Sequence, residues 1–470
     1  MRICKKEVDK MKRYDVIIVG GGPAGLFTAL ELVNKKENLN ILLLEKGKDI
    51  HKRVCPMNTY GTKCLDCKPC AITSGIGGAG AFSDGKLTLT SEFGGVLDEY
   101  MPKSKLNELI NYVDSIYVRF GATTEVHGTD REKIREIEKR AQAADLKLIP
   151  AVIKHLGTDK SFEIIKNMRD YLVERIDIMT DTIVEEIIVK DGQAVGVVTE
   201  KGEEYYGEYI VVAPGREGAK WFKKEADRLG IKTKNNAVDI GVRVEIPAVV
   251  MEDITDVVYE SKFIYHSKSF DDRVRTFCMN PYGMVVVENH DGIKTVNGHS
   301  YKDIKTENTN FAILVSKEFT EPFNRPIEYG RYIAELANML GDGVIIQRLG
   351  DLLSGRRSTP KRIKRGLVEP TLKDATPGDL SLVLPYRFLQ SIIEMLQALD
   401  KVSPGVYSKH TLLYGVEVKF YSSRVELTDK LETQIRNLFA AGDGAGITRG
   451  LAQASVSGVV VAREILERVK

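Results

Sequence analysis

The 470 residues carry 68 lysines and arginines against 66 acidic residues, a formal net charge of +2, and 43% of them are hydrophobic. That balance describes an ordinary soluble chain of two or three domains, with no general case for nucleic acid or a membrane surface as partner. No uncharged apolar run approaches the ~20 residues that span a bilayer. The N-terminal MRICKKEVDKMKRYDVIIVGGG has no apolar h-region ahead of its first strand, so the expected location is the cytoplasm.

Residues 14–19 (YDVIIV) predict a strand, residues from Pro23 a helix, and residues 41–44 a second strand. Gly20, Gly22 and Gly25 fill the G-x-G-x-x-G positions at the first turn. The first allows a tight turn, the second a close approach by a pyrophosphate, and the third close packing of helix on strand. The turn through Gly22, Pro23 and Ala24 opens a helix whose unpaired N–H groups face phosphates. Glu45, with Lys46 beside it, ends the second strand 20 residues past Gly25, where a carboxylate accepts hydrogen bonds from an adenosine ribose. A carboxylate there repels a 2′-phosphate, which favours FAD or NAD over NADP.

Four of the six cysteines, Cys55, Cys64, Cys67 and Cys70, fall within 16 residues, a distribution unlike a disulfide framework. The Cys64-x₂-Cys67-x₂-Cys70 spacing matches the first three ligands of bacterial ferredoxins, yet the Cys-Pro at Cys55 precedes the triplet instead of following it. An iron–sulfur cluster, a four-thiolate zinc site, a dithiol exchanging electrons with flavin, and plain packing thiols all fit. The run GIGGAGAFSDGKLTLT follows, in which Gly77, Gly78 and Ser83 are cofactor-contact candidates.

Residues 104–175 read as charged helices, with Ile134 and Ile137 marking an amphipathic stripe. Residues 99–157 are expected as a mostly helical insertion. Between 176 and 215, short β-rich runs separated by Asp191-Gly192 and Lys201-Gly202 predict hairpins. From 233 to 424 the pattern is mixed α and β, a substrate or cap domain. The cofactor domain is then discontinuous, built from 12–98, 158–232 and 425–470. Within the second domain SGRRSTPKRIKRGL places six basic residues in positions 356–365. Arg356 and Arg357 are candidates to grip an anion there, and His299 and Cys278 are candidate proton donors.

The C-terminal NLFAAGDGAGITRGLAQASVSGVVVAREILERV, with VVAPGREG at 211–218, resembles the glutathione-reductase-type FAD-dependent oxidoreductases. The resemblance implies a parallel sheet with an antiparallel meander returning at Gly215. It implies Asp443, after Gly442, on the ribityl chain, and a helix starting near Gly450, Leu451 and Ala452 aimed at the flavin pyrimidine. Reduced flavin carries negative charge there, which a helix N-terminus stabilises. Segments such as RTFCMNPYGMVV and YGVEVKFYSSRVEL look like a group of prokaryotic FAD-dependent dehydrogenases, which would bring Lys86 near flavin. Asn280 departs from that group's pattern, where a second cysteine is expected.

Only one dinucleotide fingerprint is present, so electrons are expected from transiently bound NAD(P)H or a ferredoxin-like carrier. The sequence thus describes a flavoenzyme moving two electrons to or from a small anionic metabolite. An RNA-modifying flavoenzyme and a non-catalytic redox sensor are the alternatives.

Overall fold

The computed structural model describes residues 13–56, 59, 65, 67–82, 85–290, 292–300, 305–319, 322–323, 325–420 and 423–469. Cys64 and Ser83 lie outside the described residues. The chain begins with β1 (Arg13–Val19), helix α1 (Pro23–Lys35) and β2 (Ile41–Leu44). A two-stranded ladder of β3 (Lys86–Thr88) and β5 (Ile153–His155) brackets α2 (Lys103–Arg119), α3 (Arg131–Ala143) and β4 (Lys147–Ile149). Then come α4 (Thr158–Val173), β6 (Asp177–Met179), β7 (Val184–Lys190), β8 (Gln193–Thr199), β9 (Glu204–Val212) and α5 (Gly215–Arg228).

The second half holds β10 (Thr233–Lys234), β11 (Val238–Pro247), β12 (Lys262–His266), β13 (Arg273–Asn280), β14 (Met284–His290), β15 (Ile293–His299) and β16 (Asn308–Lys317). It continues through α6 (Pro326–Gly341), β17 (Ile345–Arg348), β18 (Thr376–Pro377), α7 (Tyr386–Val402), β19 (Leu412–Lys419) and β20 (Arg424–Val425). β21 (Leu438–Ala440) and α8 (Leu451–Arg468) close the chain.

The first sheet runs β6-β2-β1-β9-β8-β7, with β21 also on β9. β6, β2, β1, β9 and β21 are parallel, and β7, β8 and β9 form an antiparallel meander. Strand β2 is buried throughout, as a parallel strand covered on both faces must be. The β7–β8 turn falls on Asp191 and Gly192, both at positive φ (51° and 73°), the geometry that a two-residue hairpin demands. On this sheet α1 and α8 cross closely: a Cβ on Gly458 would stand 2.1 Å from the Ala24 carbonyl oxygen. That contact sets the first turn of α1 against the middle of α8.

The second sheet has eight strands in the order β18-β17-β19-β11-β16-β13-β12-β4. On β11, Val238, Ile240, Val242, Val244 and Ile246 face a core shared with α6 and α7. The alternate residues Asp239, Arg243 and Glu245 are equally buried on the other face. This second face is therefore charged and enclosed, and its groups must be paired.

Arg243 uses all five of its N–H donors. Two meet Glu417 at 2.8 and 2.9 Å, and the others reach the Cys278 carbonyl and the side-chain oxygens of Asn310 and Asn297. Arg275 pairs with Asp239. Glu245 accepts from Tyr414, Thr371 and Asn308, and burial raises its carboxyl pKa. The β14–β15 hairpin covers one part of this face through Val285 and Val296, packed against Leu412 and Tyr414.

Residues 99–157 pack in two places. The apolar stripe of α2 joins the first core through Leu106, Ile110, Val113 and Tyr117. That of α3 joins the second through Ile134 and Ile137, and β4 extends the second sheet. Each stripe is too small to bury against itself, so each takes the nearest larger apolar surface.

Candidate functional site

The glycine fingerprint follows from local sterics. Gly20 sits at φ +109°, and a Cβ there would stand 2.1 Å from the Ala213 carbonyl oxygen at the end of β9. A Cβ on Gly25 would stand 2.0 Å from the Gly20 carbonyl oxygen. These two glycines are demanded by the protein itself. Gly22 is different: its φ is −75°, and a Cβ on it would meet nothing within 4 Å. A glycine the fold does not need, at the head of α1, is a gap reserved for something else.

Four more segments meet there. A Cβ on Gly78 would lie 3.3 Å from the Gly22 Cα. One on Gly80 would press on Leu451 at 2.5 Å and Pro23 at 3.5 Å, and Gly77 donates its N–H to the Gly21 carbonyl at 2.7 Å. One on Gly442 would touch the Ala24 Cβ at 3.0 Å. Gly215 and Gly450 both look onto space where a Cβ would meet nothing. Thus 20–25, 75–80, 213–215, 442–443 and 450–452 converge around one cradle between the heads of α1 and α8. The arrangement fits the FAD expected from the sequence.

Individual side chains refine the expected roles. Glu45 is buried, and its carboxylate accepts the N–H groups of Gly21 at 2.7 Å, Gly47 at 2.8 Å and Gly75 at 2.9 Å. A carboxylate has about four lone-pair sites, so one is left for a ribose hydroxyl. Glu45 is therefore a keystone joining the fingerprint to the 75–80 loop before it is a ribose ligand. Lys46, beside it, is half-buried. Asp443 accepts from the Thr448 hydroxyl at 2.7 Å and pairs with Arg216 at 3.3 Å. Arg216 is largely exposed, so a ribityl hydroxyl can take its place at little cost.

Arg53 carries no motif, yet it anchors the loop. Its buried guanidinium donates to the carbonyls of Ala71, Ile72, Ile76 and Gly78 at 2.7–2.9 Å and covers the Phe82 ring at 4.7 Å. Burial lowers its pKa to about 10, against the opposing pull of Glu45. Arg53→Met should cost about 2 kcal/mol in urea unfolding, because four carbonyls lose their donors. FAD dissociation should become at least several-fold faster in stopped-flow fluorescence; unchanged release would deny the loop a part in holding cofactor.

The remaining candidates scatter. Lys86 bridges the two domains, donating to the Met279 carbonyl at 3.1 Å and the Asn280 side chain at 3.2 Å, with Glu260 at 3.7 Å. His299 ends β15 opposite Met284, and Cys278 lies on β13 at φ +46° with its carbonyl taken by Arg243. Arg356 pairs with the buried Asp351, which Arg348 and Arg362 also approach, while Arg357 continues the same exposed surface. That surface adjoins β17, five strand spacings from β12, or roughly 24 Å across the sheet.

Cys55 and Cys70 are half-buried and Cys67 is exposed. Among the described residues no group of three or more His, Cys, Asp or Glu could hold a metal. The described thiols do not themselves fit an iron–sulfur or zinc site, and nothing below is routed through one.

Sequence reasoning overlooked Lys262. It extends from β12 onto the charged face, 8% exposed, with its Nζ 3.6 Å from the centre of the Phe93 ring and 5.9 Å from that of Phe277. The Phe93 carbonyl accepts from Gln453 in the first turn of α8 at 3.2 Å, and the neighbouring Gly95 bridges to Thr448. The lysine is therefore one ring away from the head of α8.

Burial lowers the Lys262 pKa from 10.5 to about 7, with Arg275 adding to the effect. Between those values the unfolded chain binds a proton that the folded chain does not, so stability rises with pH across the window. Lys262→Met should flatten that slope in thermal unfolding at pH 7–10; an unaltered slope would show that the amine titrates normally.

A parallel sheet with a glycine fingerprint at the head of α1, joined to a mostly antiparallel second sheet, is a layout that suits a bound dinucleotide such as FAD. Residues 237–420, which span most of the second sheet, match the family described as FAD-dependent protein, C-terminal domain-like. Residues 15–59, the fingerprint and its ribose strand, match the family described as lycopene cyclase protein. An uncharacterized protein of Clostridium beijerinckii is 28% identical over 485 aligned residues, covering 96% of this chain and 80% of that one.

Solved structures with a related layout include a formate oxidase variant of Aspergillus oryzae, 12% identical with a TM-score of 0.48, covering 98% of this chain and 99% of that one. Another is glycine oxidase of Bacillus cereus, 12% identical with a TM-score of 0.38, covering 97% and 96%. At that level of likeness the neighbours say nothing about this chain's substrate. No described helix is long and apolar enough to cross a membrane.

Proposed function

We propose that the chain oxidises or reduces a small anionic metabolite held between the charged face of the second sheet and the FAD cradle. The observation that carries this reading is where the charged face meets the first domain. The meeting point is the 93–96 strap, which is laced to 447–449 at the head of α8. A substrate there would lie beside the part of the cofactor that the head of α8 addresses.

Bound flavin supplies the two-electron chemistry. The protein's own groups do the rest. Gly22, Gly215 and Gly450 leave room for the cofactor, Glu45 and Asp443 would accept from its hydroxyls, and the N–H groups at Leu451 and Ala452 would stabilise negative charge near the helix head. Lys86 ties β13 to β3, so the sheet keeps its distance from the cradle. The electron partner in this reading reaches the cofactor directly, because the 356–365 patch lies five strand spacings across the sheet from Lys262.

The test is anaerobic mixing of FAD-loaded protein with 2-hydroxy, 2-amino and 2,3-unsaturated carboxylic acids, each beside its neutral amide. Bleaching of the flavin by an acid and not by its amide supports the reading. Equal bleaching by both would overturn it.

A further inference from the structure

Lys262 is the exception on a face whose other charged groups are ion-paired or, like Glu245, hydrogen-bonded. Arg243 is shared with Glu417, Arg275 with Asp239, Lys419 with Glu417 and Glu288, and Lys86 with Glu260. Lys262 Nζ forms no hydrogen bond or ion pair with any of the described residues, and two phenyl rings, Phe93 and Phe277, flank it instead. The charged groups that act on it are Arg275, Glu260, Arg273 and Asp239. Neither carboxylate is free to serve it. Asp239 is engaged by Arg275 and by the Ser316 hydroxyl at 2.5 Å, and Glu260 by Lys86. Lys419 also lies within 5.7 Å of the Phe277 ring, and Glu92, next to Phe93, turns outward to Lys103 at 2.9 Å.

A buried amine without a counter-ion is costly as a cation and cheap as a neutral base. Two aromatic faces offer the cation only part of what water would. The missing element is an anion whose body is apolar enough to lie against phenyl rings.

We propose that Lys262 is the receptor for the substrate's carboxylate, and that it takes up a proton as the carboxylate binds. The ligand class is a monocarboxylic acid on an aromatic or branched apolar body. No bond to carbon forms or breaks: one proton passes from solvent to Nζ, and the resulting ammonium pairs with the carboxylate. This deepens the reading given above and rests on it for the nearness of the flavin.

The step predicts a sign for pH. The free lysine is largely neutral at pH 8 and largely charged at pH 6. Binding of an anion should therefore absorb nearly one proton at pH 8 and little at pH 6. The probe is benzoate, with acetate as the body-free control and benzamide as the neutral one. FAD-loaded protein is titrated by calorimetry in two buffers of different ionisation enthalpy, and the flavin spectrum is read on the same samples.

Expected are benzoate binding with proton uptake at pH 8, weaker binding of acetate, and none of benzamide. Lys262→Met should bind benzoate at least tenfold more weakly with no uptake, and it should fold, since it removes a buried ionisable group. Lys262→Arg, permanently charged, should keep binding without uptake. Benzoate binding without proton uptake, or undiminished in Lys262→Met, would overturn the proposal, as would absence of benzoate binding. Proton-coupled binding that leaves the flavin spectrum unchanged would uphold the receptor and defeat the placement of the substrate beside the flavin.

Discussion

Gly22→Val is expected to give a chain that folds and binds FAD at least about 100-fold more weakly. The backbone at Gly22 is extended, which valine tolerates, and a Cβ there meets no protein atom within 4 Å. The branched side chain would instead stand where the cofactor's pyrophosphate approaches the first N–H groups of α1. Loss of those contacts should weaken FAD by at least about 100-fold, or roughly 2.7 kcal/mol. Apoprotein unfolding should change by only about 1 kcal/mol, the ordinary cost of an apolar residue at a helix N-cap.

The neighbours sharpen the contrast. Gly20→Ala and Gly25→Ala place a Cβ 2.1 and 2.0 Å from backbone oxygens, so both should fail to fold. Fluorescence titration of apoprotein with FAD, alongside urea unfolding, separates the classes. Tight FAD binding by Gly22→Val would move the cofactor elsewhere.

Arg243→Met should be the most destabilising single change on the charged face, costing about 3–5 kcal/mol in urea unfolding. Arg243 and Glu417 are both fully buried, and the arginine's five donors all have acceptors. Methionine leaves the carbonyl of Cys278 and the side chains of Asn310 and Asn297 without their donor. Lys419, 3.0 Å from Glu417, still neutralises the carboxylate, which keeps the loss toward the lower figure. Adding Glu417→Gln should recover part of the loss, because the buried negative charge goes with its partner. A double mutant as unstable as the sum of the single ones would show the pair to be energetically independent.

The FAD half was readable in the residues because its signals are local. Gly20, Gly22, Gly25 and Glu45 act within one strand–turn–helix–strand unit, and Asp191-Gly192 fixes its own hairpin. Gly442-Asp443 and Gly450 were assigned by resemblance, and the structure carries them to the same cradle from the far end of the chain. The charged face was not readable. Along β12 the alternation of Phe263 and Tyr265 inward marks a strand with one solvated side. Nothing in SKFIYH tells that another domain covers that side and strips Lys262 of water. Arg53 hides similarly among the basic residues of KGKDIHKR, where only the folded loop shows four carbonyls turned toward it. The split of 99–157 between two cores likewise depends on which apolar surface lies within reach, a long-range fact.

The most direct measurement is the visible spectrum and FAD content of protein purified without air, with iron and zinc assayed on the same sample. One FAD per chain is expected, with flavin bands that bleach on dithionite and return on reoxidation. Protein that stays colourless after incubation with FAD, or whose colour follows iron with no flavin present, would contradict it.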